Sequence, residues 1–282
     1  TTDYYDHPIF HPATQLHFDT AASRALRDTI ERWLWNGNTG GYFYGKSRVG
    51  KTHALSLLID RFRTRANRPI PGHYLSVPQR DQGTIASTYR AMNFSAGLRV
   101  TNADKADVLC DRFVFHLSDR ACEAASDMLL MVIDEMHRLK PQQLEAFAEI
   151  YDKLLKTDVV LTCVFVGNDP QHRDLTDELA VRSPHVYGRF FTQGHEVQGL
   201  TSEADVRTCL AQYDTLRHPD DGPTYTAFFL PEAVEAGWQL ASLSAPLWAA
   251  FAHYRDRLHL GSWPMQYFVT AVNTLLTDYL PR

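Results

Sequence analysis

The sequence predicts an α/β protein, a parallel sheet flanked by helices, and three segments predict it. Gly41-Tyr42-Phe43-Tyr44-Gly45-Lys46-Ser47-Arg48-Val49-Gly50-Lys51-Thr52 reads as a strand running into a complete GxxxxGK[ST] loop, after which Ala54, Leu55, Leu57, Leu58 and Phe62 recur at helical spacing. Met128-Leu129-Leu130-Met131-Val132-Ile133 is an uninterrupted apolar run closed by Asp134-Glu135, and Val159 to Val166 is another, closed by Gly167-Asn168. Runs without polar alternation are what strands covered on both faces require. Between these two runs Leu144, Phe147, Tyr151 and Leu154 mark the apolar face of a helix beginning near Pro141, so the order is strand, helix, strand, a parallel crossover unit.

Each segment carries chemistry at its carboxyl end. A GxxxxGK[ST] string arises by chance in roughly 1 chain in 100 of this length, so the flanking strand and helix decide its meaning. Gly45 and Gly50 are expected to take backbone angles closed to other residues, so that backbone NH groups across Gly45, Ser47, Arg48, Val49, Gly50, Lys51, Thr52 and His53 converge on phosphate oxygens at the positive end of a helix. Lys51 would reach the β and γ phosphates, and the Thr52 hydroxyl would ligate magnesium. Of the carboxylate pair, Asp134 would hold magnesium and Glu135 polarise the water that attacks the γ phosphate. The Asn168 amide orients that water, or else belongs with Asp169-Pro170 to a plain turn.

Gly45 to Thr52 resembles the Walker A motif, Ile133-Asp134-Glu135 the Walker B motif and Asn168 the sensor 1 residue of AAA+ ATPases, a resemblance covering roughly residues 25 to 200. Within that superfamily, Asp134-Glu135-Met136-His137-Arg138-Leu139, the short chain and the lack of a fused catalytic domain look like the transposition regulators of the TnsC, TniB and MuB type. The resemblance implies a P-loop fold with a small C-terminal helical lid and ATP and Mg2+ as cofactors. It also implies a homo-oligomer, ring or helical filament, in which an arginine reaches the nucleotide of the next subunit. Arg189, in Val186-Tyr187-Gly188-Arg189-Phe190-Phe191, and Arg182 both qualify. A sensor 2 arginine has no clean counterpart: Arg255 and Arg257 are substitutes, but the helix after Gly261-Ser262-Trp263-Pro264 carries no basic residue.

The 282 residues, 44% hydrophobic, suffice for one α/β domain with a helical appendage. The expected division is an arm at 1–24, a nucleotide-binding domain at 25–215 and a lid at 216–282, with His218-Pro219-Asp220-Asp221-Gly222-Pro223 interrupting the periodicity near the last boundary. From Pro231 to Tyr279 apolar residues recur at helical intervals. The arm, rich in aromatics, His and Pro, is expected beside the adenine or on a neighbouring subunit. Cys110, Cys122, Cys163 and Cys209 form no CxxC pair and indicate neither zinc nor a disulfide framework. With no bilayer-length apolar run and no signal-peptide pattern at Thr1, a cytoplasmic protein is expected.

A net charge of −5 repels a polyanion unless cations are concentrated locally. Arg61, Arg63, Arg65 and Arg68 are read as the solvated end of the helix after the loop. Arg99, Thr101 and Lys105 are the DNA-binding candidates, because in the filament-forming transposition ATPases that the chain resembles, elements between the Walker motifs track the DNA backbone. The leading expectation is an ATPase that assembles on double-stranded DNA, selects a target site and recruits a transposase together with target-selection proteins. The alternative is an ATP-driven switch, such as a helicase loader or signalling NTPase, that acts on protein partners without touching DNA.

Overall fold

The computed structural model describes residues 4–11, 18–79 and 83–280. Its elements are, in order, α1 (Ala21–Trp35), β1 (Gly40–Gly45), α2 (Lys51–Leu58), β2 (Gly72–Ser76), α3 (Ile85–Ser95), α4 (Ala106–Glu123), β3 (Met128–Asp134), α5 (Pro141–Leu155), β4 (Val160–Asn168), α6 (His172–Arg182), α7 (Pro184–Phe190), β5 (Gly194–Glu196), α8 (Glu203–Tyr213), α9 (Tyr225–Phe229), α10 (Pro231–Glu235), α11 (Ser244–Arg255) and α12 (Met265–Thr274). All pairings in the five-stranded sheet, order β2-β3-β4-β1-β5, are parallel. This is the expected α/β P-loop fold, and the strands of the three segments are its three inner strands. Parallel strands end on one side, so Gly45 lies opposite Asn168, and Ser76 opposite Asp134, at the carboxyl edge where α/β proteins bind ligands.

By its contacts the chain divides into two units. The α/β unit comprises residues 26–47 and 51–197. Its core packs Phe113, Met131, Ile133, Phe147, Phe165 and Phe190, all at most 2% exposed, between sheet and helices. Helix α5 starts where expected: Pro141 takes the first helical position and the Gln143 side chain accepts from the Lys140 NH at 3.0 Å. Helix α3 is capped reciprocally by Thr84 and Ser87.

The second unit holds the described residues of 1–25, residues 48–50 and the described residues from 198 onward. Helix α8 belongs to it because Val206, Cys209, Leu210 and Tyr213 are buried in the same cluster as Phe251, Phe268 and Val272. The break thus falls at 197/198, earlier in the chain than the turn at 218–223. Among the described residues no helix is long and apolar enough to cross a membrane.

One local expectation needs correction. The apolar stripe ending in Phe62 does not continue a helix: α2 stops at Leu58, and the chain folds back so that the Ile70 NH donates to the Phe62 carbonyl at 3.0 Å, burying both side chains. Arg61, Arg63, Arg65 and Arg68 therefore sit on a connecting loop. There Arg65 lies 5.5 Å over the Trp35 ring and Arg68 donates to the Ala125 carbonyl at 3.1 Å. Of the amino-terminal arm, Tyr4 to Phe10 packs on its own chain, with Tyr4 stacked on Phe228 at 5.8 Å and a fully buried His7 ringed by Tyr225, Phe228 and Phe229. Aromatic surface near α9 satisfies these rings. Residues 1–3 and 12–17 of the arm lie outside the described residues.

Phe165, fully buried, meets Phe147 edge-on at 5.4 Å and Phe191 at 4.8 Å. Phe165→Ala is expected to lower unfolding free energy by about 3–5 kcal/mol, a large share of a domain's stability, read as a shifted denaturant midpoint with unchanged slope.

Candidate nucleotide site

The phosphate loop leaves β1 at Gly45 and enters α2 at Lys51. Its two glycines serve different needs. Gly50, at φ +104°, holds a left-handed conformation as expected. Gly45 does not: a Cβ there would stand 2.1 Å from the Val197 carbonyl oxygen, so close approach of β1 to the neighbouring chain, and not a special backbone angle, demands glycine. The left-handed role falls instead to Arg48, φ 69°, at about 1 kcal/mol for a residue with a Cβ. Arg48 donates to the Tyr267 hydroxyl with its guanidinium 5.1 Å from that ring, and its carbonyl accepts from the Gln266 NH at 3.2 Å. Ser47 is exposed, Val49 buried and His53 half-buried in the first turn of α2.

Lys51 is buried at 6% exposure, and its Nζ donates to the carbonyls of Gly45 (2.7 Å) and Lys46 (2.8 Å) and to Asn168 Oδ1 (3.2 Å). Burial pulls its pKa down to about 8, against the opposing pull of Asp134, Glu135 and Asp169. Asp134, 4% exposed, ends β3, with Oδ2 accepting from Thr52 Oγ1 at 2.7 Å and from the Tyr74 hydroxyl at 2.6 Å, while Oδ1 accepts from the Glu135 NH at 2.8 Å. Glu135 turns the chain through a left-handed conformation, φ 61°, into a short 3₁₀ turn, and its Oε2 lies 3.3 Å from both Arg138 Nη2 and His137 Nε2. Burial holds the His137 imidazole below its ordinary range, so the guanidinium is the charged partner.

Loop, lysine, threonine, both carboxylates and Asn168 thus converge at one sheet edge. The donor types suit magnesium: a hydroxyl and a carboxylate, both hard oxygen ligands, held together by the Thr52–Asp134 hydrogen bond at 2.7 Å. No cluster of three or more His, Cys, Asp or Glu able to hold a metal occurs among the described residues, and the hydroxyl and carboxylate suit the sparse protein ligation of magnesium, which takes its other oxygens from water or phosphate.

The remaining candidates lie elsewhere. Arg189 pairs with Asp152 at 2.9 Å, donates to the Ala148 carbonyl at 3.3 Å and covers the Tyr151 ring at 5.0 Å, tying α7 to α5. Arg182, at the end of α6, is 73% exposed and meets only Glu178 of its own helix among the described residues. Arg99, Thr101 and Lys105 are exposed on the connection between α3 and α4. Arg255 pairs with its neighbour Asp256, Arg257 is exposed, and α12 carries no basic residue. Two contributors lay outside the sequence expectations: Tyr74, on a five-residue strand too short for its period to stand out, and Arg138, in a quoted motif but without a role.

Residues 36–175 match the family model described as an AAA domain. That segment is thus similar to AAA domains, and the fold is the P-loop AAA+ fold. The ORC2 protein of Aeropyrum pernix in its ADPNP–ADP complexes superimposes with a TM-score of 0.53 at 13% identity, covering 97% of this chain and 73% of that one. Its ADP form gives 0.52 at 13%, covering 92% and 69%. Cdc6p of Pyrobaculum aerophilum gives 0.50 at 14%, covering 90% and 67%. At such identities the likeness establishes the fold. No curated protein sequence matches this chain.

The lowered Lys51 pKa has a testable sign. The ammonium is half deprotonated near pH 8 in the free protein, and triphosphate charge favours its protonated form, so nucleotide binding between pH 8 and 9 should take up as much as one proton and weaken as pH rises. Calorimetry in buffers of different ionisation enthalpy should show this uptake, and Lys51→Gln should abolish it.

Proposed function

We propose that this protein is an ATPase that assembles on double-stranded DNA in its ATP-bound state, marks a target site for a transposase and its target-selection partners, and disassembles after hydrolysis. The observation that supports turnover is the convergence of Lys51, Thr52, Asp134, Glu135 and Asn168. Backbone NH groups of the loop and the Lys51 ammonium would hold the β and γ phosphates, Glu135 would take a proton from the attacking water, and Asn168 would orient that water. Magnesium, which Thr52 and Asp134 would hold, would supply neutralisation of the negative charge on the phosphates. Glu135 must exchange its Arg138 contact for water to act as a base. Disassembly follows if contacts to the γ phosphate exist only in the assembled state.

Oligomerisation places demands on an arginine, and the two candidates are unequal. Arg189 is committed to α5 of its own chain, whereas Arg182 is solvent-facing beside Val181, itself 81% exposed. Arg182 is the better trans arginine. DNA contact rests on the α3–α4 connection, where Arg90 donates to the carbonyls of Asn102 and Asp104, both at 3.3 Å, and Arg112 pairs with Asp104 at 3.1 Å. Held from beneath, the connection offers Arg99 and Lys105 to solvent, which suits phosphate contacts without base reading. The transposition assignment rests on the resemblance of residues 134–139.

A protein-directed switch is the second reading, favoured by Phe94 and Phe115, 80% and 69% exposed on α3 and α4. Electron microscopy of the protein with duplex DNA and a slowly hydrolysed ATP analogue separates the two. Rings or filaments on DNA support the first reading, and a bare duplex the second. Replacing both Arg99 and Lys105 by Ala should flatten the slope of log affinity against log salt by about 2. Arg182→Ala should reduce turnover by the assembled protein about 10³-fold with nucleotide affinity intact, whereas Arg189→Ala should chiefly lower thermal stability.

A further inference from the structure

Tyr74 stands on β2 at the edge of the sheet, paired in register with Val132. Its hydroxyl and that of Thr52 donate to the same oxygen, Asp134 Oδ2, at 2.6 and 2.7 Å. A carboxylate oxygen has two lone pairs in its plane, so both on Oδ2 are engaged, while Oδ1 has spent one on the Glu135 NH. Three residues further, the Val77 NH donates to the Asp134 carbonyl at 3.0 Å and the Val77 carbonyl accepts from Arg138 Nη1 at 2.9 Å, the same guanidinium that meets Glu135. One short strand therefore braces both carboxylates at the end of β3.

We propose that Tyr74 is a positioning residue for the divalent-cation site: by sharing Oδ2 with Thr52 it fixes the plane of the Asp134 carboxylate and leaves Oδ1 as the oxygen with a lone pair for the cation or its hydration water. The inference rests on the reading of this edge as a magnesium–nucleotide site. A phenylalanine would fill the same space, so packing alone does not call for the hydroxyl. Without it, one lone pair of Oδ2 loses its donor and the carboxylate, held only by Thr52 and the Glu135 NH, turns more readily about Cβ–Cγ, the disorder that partners of ligating carboxylates prevent.

The test is a Mn2+ titration of the full chain with ADP, followed by the free-ion electron paramagnetic resonance signal. Alongside it, affinity for a fluorescent ADP analogue is measured in EDTA. Tyr74→Phe is expected to raise the half-saturating Mn2+ concentration about 10-fold or more while metal-free ADP affinity stays within about 2-fold of wild type. Because Tyr74 acts through Asp134, adding Tyr74→Phe to Asp134→Asn should produce no further loss of cation affinity. Unchanged Mn2+ affinity in Tyr74→Phe, or additive losses in the double variant, overturns the proposal while leaving the nucleotide site intact. A wild-type protein that binds ADP in EDTA but gains no Mn2+ site with it overturns both the proposal and the magnesium reading. A wild-type protein that binds no ADP overturns the nucleotide site itself.

Discussion

The parallel pairing of β1 with β4, in the register that sets Gly45 opposite Asn168, is the constraint on which the site depends. A slip of one residue would turn every side chain of β1 to the other face of the sheet and carry the loop out of alignment with the ends of β3 and β4. In the observed register the Asp169 NH donates to the Gly45 carbonyl at 3.0 Å, and that carbonyl also receives the Lys51 ammonium. The first residue of the loop is therefore held by the strand that delivers Asn168. Glycine at 45 lets the neighbouring chain approach closely enough at Val197 to close the other side.

Within that frame the charges are arranged so that none is buried alone. The Lys51 ammonium has three oxygen acceptors, and the Asp134 carboxylate three donors, each from a different part of the chain: the start of α2, the middle of β2 and the backbone after β3. A buried ion without such partners would neutralise instead. Glu135 is set apart by its backbone: the left-handed turn at this residue directs its side chain to Arg138 and His137 while Asp134 stays with Thr52. Adjacent carboxylates thus meet different neighbours, the condition for dividing metal binding from base chemistry.

The same logic of local concentration governs the surface. In a chain of net charge −5, the α3–α4 connection carries Arg99 and Lys105 outward, with Arg90 and Arg112 drawn back to hold Asp104 and the backbone. Hydrogen bonds from Thr101 come first, with Arg112, in keeping the half-buried Asp104 carboxyl below its usual range. The acid helps to shape the loop, and its charge is paired.

The sequence by itself determined the fold class, the three inner strands, the loop, the carboxylate pair and Asn168, because each is encoded within a dozen neighbouring residues: an apolar run long enough to name a buried strand, then the polar residue that ends it. Tertiary structure alone decided the rest. The reason for Gly45 is an oxygen more than 150 residues away, at Val197. The end of α2 at Leu58 follows from the burial of Phe62 against Ile70, which helical spacing had concealed. Arg182 and Arg189 look alike in the chain, and only the position of Asp152 and Tyr151 on α5 commits one of them. Tyr74, in a strand of five residues, acquires its role from β2 lying beside β3, a pairing between residues 58 apart that periodicity cannot register. Local pattern names the strands and the chemistry at their ends; contacts between residues distant in sequence determine which side chains share an atom.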